Sequence, residues 1–169
     1  SMTGWFIVRM RNKVGEGIYY LFVFSMIVPF QMVMLSLSRI VEILGLNTPY
    51  GIIIVYLGFG AGLSVFMFAG FSKGIPFEIE EAAMIDGCNI MGMFLKVVFP
   101  ILKPISITVA ILNVMWIWND FLLPYLVLDR NRYKTLPIVI QELKGSYGSI
   151  DWGTMMAMIM LAILPLIIF

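Results

Sequence analysis

The run Ile43–Ser72, ILGLNTPYGIIIVYLGFGAGLSVFMFAGFS, contains no Asp, Glu, Lys or Arg. An uncharged stretch of about 18 residues or more is long enough for a helix to cross the roughly 30 Å hydrocarbon layer of a bilayer. Gly17–Ser38 and Trp152–Phe169 are two further runs of that kind. The whole chain is 61% hydrophobic and 12% charged, against roughly 45–50% and ~25% in soluble domains. With a mean hydropathy of +0.98, this is the composition of a helical membrane protein.

The same inventory excludes several kinds of chemistry. There is no His, and Cys88 is the single Cys. A His/Cys zinc site, a Ser-His-Asp triad, a Cys-His pair and an intrachain disulfide are therefore ruled out, and no catalytic or metal-binding residue is expected. No Walker A sequence is present to cradle nucleotide phosphates. A net charge of +1 gives no bulk attraction to nucleic acid. The N-terminal SMTGWFIVRMRNK places its apolar patch before Arg9, Arg11 and Lys13, the reverse of a secretory signal. The chain ends inside an apolar run, and it is read as a piece of a longer protein cut at both ends.

Four spans are expected, near 17–37, 50–71, 104–125 and 153–169. A short link joins the first two; a polar loop over 72–99 and another over 127–151 join the rest. Alternation puts Arg9, Arg11, Lys13, Lys73, Lys96 and Lys103 on one side and Arg39, Arg130, Arg132, Lys134 and Lys144 on the other. The three basic residues ahead of the first span outvote Arg39 across it, which places the 72–99 loop in the cytoplasm. Trp5, Tyr19, Tyr50, Tyr125 and Trp152 fall near span ends, as in an interfacial aromatic belt. Pro29 and Pro124 are expected to kink or end helices. Gly58, Gly60 and Gly62 offer a small face for ordinary close helix packing.

The 72–99 loop holds the densest charge. Pro76 suits a helix start, and Glu78, Glu80 and Glu81 lie where a helix dipole favours anions. The helix is expected to stop at Asp86-Gly87. A second short helix comes next, with Ile90, Met93, Phe94 and Val97 at helical spacing on one face, closed by Pro100. Such an element needs something to cover its apolar face. Interfacial helices usually carry Lys and Arg on the polar face, and this loop is acidic. Docking to a basic groove of a cytoplasmic protein and packing against the same chain both stay open.

Glu81-Ala82-Ala83, three residues, Gly87, nine residues, then Val97-x-Phe99-Pro100 resembles the EAA loop of permease subunits of binding-protein-dependent ABC importers. Val97 stands for the usual Ile and Phe99 for the usual Leu. The stretches IPFEIEEAAMIDG, FPILKPISITVAI, WNDFLLPYLVL and TLPIVIQEL followed by DWGTMMAMIM resemble the carbohydrate-uptake branch, in particular the second permease of maltose-transporter-like systems. The resemblance implies an all-α, polytopic membrane protein: the MetI-like transmembrane core of an ABC importer permease, truncated at both ends. Family members carry six spans and a polar C-terminal tail, so the first span, most of the second and the tail would be missing.

For function, the resemblance implies a multi-pass subunit of a bacterial-type cytoplasmic membrane, moving a sugar by alternating access. Its partners would be an ATPase subunit dimer, a second homologous permease, an extracytoplasmic sugar-binding protein and the lipid bilayer. ATP would be bound by the ATPase, so no cofactor is expected on this chain. Glu81, Ala82, Ala83, Asp86, Gly87 and Pro100 would form the ATPase-coupling segment, with Glu81 paired to a basic residue of the ATPase.

The substrate path is less readable. Asp120 is the one acid inside an expected span, and intramembrane ionisable residues are functional candidates. Asn113, Trp116 and Asn119 precede it, and helical spacing puts Asn113, Trp116 and Asp120 on one side. Aromatic faces with amide and carboxylate groups suit a sugar. The alternative is that Asn119 and Asp120 end a helix near Pro124 and serve packing. Gln31 is a further candidate, or else a helix-to-helix hydrogen bond. Arg130, Arg132, Lys134, Tyr147 and Asp151 could receive the external binding protein or form a solvated loop. Permeation of a non-sugar solute, a membrane-embedded enzyme and a non-transport scaffold are the rival readings.

Overall fold

The computed structural model describes residues 1–10, 12–143 and 151–168. Arg11, Lys144, Tyr147 and Phe169 lie outside them. Among the described residues there is helix and turn but no strand, so the fold is all-α. In chain order the helices are α1 Met2–Met10, α2 Lys13–Ile27, α3 Phe30–Ile43, α4 Pro49–Ser72, α5 Phe77–Ile85, α6 Ile90–Met93, a π-helical turn Phe94–Val98, α7 Phe99–Ile101, α8 Lys103–Asn119, α9 Leu122–Val127, α10 Leu136–Glu142 and α11 Trp152–Ile168. The chain forms two compact units, one of Ser1–Pro29 with Leu57–Val114, the other of Phe30–Tyr56 with Met115–Phe169.

Local chemistry explains most boundaries. Asn12 caps α2, its Oδ1 accepting from the Gly15 amide at 2.8 Å. Pro29 ends the helix because it lacks an N–H and forces the preceding residue out of helical conformation; Val28 is extended at ψ 115°. The expected first span, 17–37, is thus divided into α2 and α3. Thr48 caps α4 through Oγ1 to the Gly51 amide at 3.1 Å, with Pro49 in the first helical position, where a missing N–H costs nothing. The expected third span, 104–125, is divided at Asp120 into α8 and α9.

Among the described residues, α4 alone is long and apolar enough to cross a membrane unaided. The pairs α2 with α3 and Ile90–Ile101 with α8 also pass that test if each counts as one bent span, and α11 is a shorter apolar helix. Many large side chains are bare, among them Ile27, Met32, Ile43, Tyr50 and Ile167, a surface suited to lipid or to further protein.

In the first unit the core gathers Trp5, Phe68, Ile75, Ala83, Met93, Phe94, Val98, Leu102 and Val109. α1 lies so close to α4 that a Cβ on Gly4 would stand 2.7 Å from the Phe68 Cβ. The small face of α4 meets two neighbours: Gly62 backs onto Ser25 and the Phe22 carbonyl of α2, Gly60 onto the Asn113 side chain of α8, while Gly58 meets nothing within 4 Å.

Pro100 does not close the second short helix as expected. That helix continues through it to Ile101, and the 73° bend falls between Ile90–Ile101 and α8. The reason lies in the π turn, where the Phe99 amide reaches back five residues to the Phe94 carbonyl. With a wider turn ahead of it, Pro100 has no helical hydrogen bond to forfeit and its ring avoids the carbonyl four residues back. The wider turn also moves the inward position from Val97 to Val98: Met93, Phe94, Val98 and Leu102 are buried, Val97 is half-buried and Ile90 is exposed.

In the second unit, Val41, Ile52, Val55, Leu123, Val127, Leu128, Ile138 and Met155 are buried. Ser38 Oγ donates to the Leu126 carbonyl at 3.0 Å, joining α3 to α9. Trp118 Nε1 donates to the Ala162 carbonyl at 3.0 Å, joining α8 to α11.

Candidate functional site

Two places hold the residues singled out by the sequence, one in each unit. In the first, α5 begins directly after Pro76 and ends at Ile85, with Asp86 as its cap and Gly87 beyond it at a φ of +82°. The Cys88 amide donates to the Ala83 carbonyl and the Gly87 amide to the Met84 carbonyl, both at 3.0 Å. These two bonds satisfy carbonyls that the helix end would otherwise leave free, and the positive φ they demand favours glycine. Asn89 then caps α6, its Oδ1 accepting from the Gly92 amide at 2.7 Å.

The acids of α5 part company. Glu81, taken from the sequence as the coupling carboxylate, is exposed, as are Glu78, Ala82 and Asp86. Ala83 is buried in the unit's own core. Glu80 is buried to 1% exposure and belongs wholly to this chain. It accepts from Trp5 Nε1 at 2.9 Å, from Arg9 Nε at 2.9 and 3.0 Å and from Arg9 Nη2 at 2.6 Å. Arg9 Nη2 also donates to the Ile75 carbonyl at 3.0 Å. Trp5 and Arg9 are four residues apart, so α1 presents both on one face.

A carboxylate at that depth is tolerable only because it is paired and fully hydrogen-bonded; losing one partner of a buried pair costs about 3–5 kcal/mol. α5 is therefore held on one side and free on the other. The free side carries Glu78, Glu81 and Asp86 beside Met84, Ile85, Ile90 and Met91, with Ile85 85% exposed. The exposed side of α5 thus combines negative charge with apolar tips. Pro100 is exposed in α7, beyond the π turn.

In the second unit Asp120 sits at the break between α8 and α9. Its Oδ1 accepts from the Leu122 and Leu123 amides at 3.1 and 3.4 Å, which starts α9, and its Oδ2 accepts from the Tyr56 hydroxyl at 3.1 Å. Trp116, partly exposed, meets the Tyr56 ring edge-on at 5.6 Å. Tyr56, Trp118, Asp120, Tyr133 and Thr135 are among the residues lining a cleft of about 470 Å³, within the range of small-molecule sites. Thr135 Oγ1 is buried there without a hydrogen-bond partner.

Other candidates are placed differently. Asn113, in the first unit, gives its amide to the Val109 carbonyl at 2.8 Å and to Ser64 Oγ at 3.4 Å. Asn119 is exposed and bonds the Met115 carbonyl at 2.7 Å. Gln31 is exposed in the first turn of α3. Arg130 lies 4.4 Å from the Tyr125 ring centroid, Arg132 is near Asp129 at 3.9 Å, and Lys134 pairs with Glu142 at 2.7 Å. Asp151 caps α11 through Thr154, accepting from its amide at 3.2 Å and its hydroxyl at 2.6 Å. These bonds, the hydroxyl's first, hold its carboxyl below the usual range. Among the described residues no three His, Cys, Asp or Glu side chains are grouped to hold a metal.

Sequence reasoning missed Trp5, Arg9, Glu80, Tyr56 and Thr135 as site residues. Signals existed for three of them: Trp5 and Arg9 share a helical face, and Tyr56 is a polar hydroxyl in the middle of an uncharged run.

The chain matches a probable starch degradation products transport system permease protein, AmyC, of Thermoanaerobacterium thermosulfurigenes with 41% identity, over 100% of this chain and 61% of that protein. It is 34% identical to the multiple sugar-binding transport system permease protein MsmG of Streptococcus mutans over 94% of this chain and 57% of that protein. With the melibiose/raffinose/stachyose import permease protein MelC of Bacillus subtilis it shares 29% identity over 99% of this chain and 61% of the relative. The chain thus spans about three-fifths of the length of these relatives. Residues 1–169 match the family described as the inner membrane component of binding-protein-dependent transport systems, and with its all-α membrane fold and EAA-type loop the chain belongs to that family.

Proposed function

We propose that this chain is the core of a permease subunit of an ATP-driven importer, moving a mono- or oligosaccharide across a bacterial cytoplasmic membrane by alternating access. Energy enters from a separate ATPase dimer, which alone binds ATP, through the 72–99 loop on the cytoplasmic side. A second, homologous permease completes the pathway, and an extracytoplasmic sugar-binding protein delivers the solute to the 127–151 loop.

The observation that carries this reading is the two-sided character of α5. Its inner side is fixed to the same chain through Glu80 and Ala83, while Glu81, Ala82, Met84 and Ile85 face outward. A helix held in this way passes on a push as rigid-body motion, as alternating access requires. The sugar preference is supported by the relatives named above and by the cleft at Asp120, where aromatic faces, a carboxylate and an unpartnered hydroxyl meet.

The test uses the full-length protein with its partner subunits in vesicles. ATP hydrolysis should depend on this subunit and on a sugar-loaded binding protein, and Glu81→Lys should abolish both hydrolysis and uptake. Normal transport by that variant would refute the coupling role of the loop. A thermal-shift screen of the binding protein against a sugar panel identifies the solute; no shift with any sugar would refute the substrate class. For the path, Asp120→Asn keeps the cap acceptor, removes the charge and turns the acceptor of the Tyr56 hydroxyl into a donor, so Tyr56→Phe is its control. Uptake lost in Asp120→Asn alone, with intact assembly, supports a substrate contact, and unchanged uptake removes Asp120 from the path.

A further inference from the structure

The joint between α4 and α5 is a short stretch without helix of its own. Four residues, Lys73-Gly74-Ile75-Pro76, connect the helices, held by single backbone bonds such as Gly74 N–H to the Phe71 carbonyl at 3.0 Å. Glycine adds freedom, and Pro76 removes a donor. A push on α5 would bend such a link before it moved α4.

α1 bridges that joint. Gly4 packs directly onto Phe68 and Ala69 of α4. The next residue, Trp5, and Arg9 one turn beyond it bind Glu80 of α5. Arg9 also takes hold of the joint itself, through the Ile75 carbonyl at 3.0 Å and by standing 5.6 Å from the Phe77 ring centroid. Its side chain is 15% exposed and that of Glu80 2%, so the pair is largely shielded from water and counterions. Glu80 cannot reach a partner protein.

We propose that Arg9 and Glu80 are positioning residues for energy coupling: with Trp5 they make α1 a brace across the α4–α5 joint, so that force on α5 moves the spans instead of flexing the link. This rests on the reading of α5 as the ATPase contact. It assigns distinct tasks to neighbouring acids, Glu81 outward to the motor and Glu80 inward to the brace.

The experiment compares uptake and ATP hydrolysis in the same vesicles, using the full-length transporter with all subunits and its sugar-loaded binding protein. The variants are Glu80→Gln, Arg9→Lys and Trp5→Phe, with retained ATPase subunit as the measure of assembly. Sugar moved per ATP should fall about two- to thirtyfold, the range for residues that carry coupling without touching either ligand. Glu80→Gln should lose most, since it removes the charge, while Arg9→Lys should lose less. Trp5→Phe should lose least, because it keeps the ring beside Phe94 and removes one donor. Stimulated hydrolysis should persist, which a merely unfolded subunit would not allow. An unchanged ratio in whichever variants assemble overturns the brace. Failure of the underlying reading is a separate result: wild-type hydrolysis that ignores the binding protein.

Discussion

Replacing Gly87 by Ala tests how α5 is stopped. A Cβ at this position would meet nothing within 4 Å, so no steric clash contributes and the whole effect comes from the backbone angle of +82°. Holding a non-glycine residue in the left-handed region costs roughly 1–2 kcal/mol. Against this, alanine lowers the entropy of the unfolded chain, worth about 0.4–1 kcal/mol in its favour. The balance is a local loss of about 1 kcal/mol, or some fivefold in opening of the helix end. Asparagine tolerates this region and should recover most of the loss; valine should lose more than alanine. Hydrogen exchange at the Cys88 and Gly87 amides reports the two bonds directly, because their acceptors are the Ala83 and Met84 carbonyls. Equal loss in all three variants, or extra protection in Gly87→Ala, would refute the argument from conformation.

Gly4→Ala sets two effects against each other: about 1 kcal/mol of helix propensity gained and about 1–3 kcal/mol of overpacking against Phe68 and Ala69. Thermal unfolding of the assembled transporter should show a net loss, and a raised midpoint would contradict the close α1–α4 approach. Tyr56→Phe removes the donor to Asp120 Oδ2 but keeps the ring contact with Trp116, costing about 1 kcal/mol. Asp120→Ala should cost more in the same unfolding assay, since it also removes the start of α9. For Asp151, the folded carboxyl titrates below the unfolded one. Its cap on α11 is therefore fully present above the unfolded value, near 3.9, and is lost only as pH falls through the lower folded value. Protection of the Thr154 amide should accordingly persist down to about pH 4 and fail in stronger acid; loss near neutrality would argue against the cap.

The membrane class and the limits of α5 are legible because each depends on residues close in sequence: uncharged runs, a proline before a helix, a glycine after it. The division among Glu78, Glu80 and Glu81 is not, since neighbouring acids in one short helix look alike until α1 is placed against them. Trp5 and Arg9 lie 75 and 71 residues from Glu80, and no local pattern links them. Prolines behaved unequally for a similar reason. Pro29 breaks a regular helix, whereas Pro100 comes after a widened turn that had already released it from hydrogen bonding. Asp120 was legible as an unusual acid, but its place at a helix break depends on the Leu122 and Leu123 amides and on Tyr56 from a distant part of the chain.

The π turn makes the distance between Gly87 and Val97 a fixed measure. An exposed connection forgives an extra residue, but here each residue added rotates the remainder of the helix by about 100°. Adding one between 94 and 98, where the turn is already one residue wider than an α turn, would leave Met93 and Phe94 inside and swing Val98 and Leu102 toward the outside. A single-residue insertion at this point should accordingly be more damaging than almost any substitution, and the motif's nine-residue gap acts as a dimension of the part as much as a signature of the family.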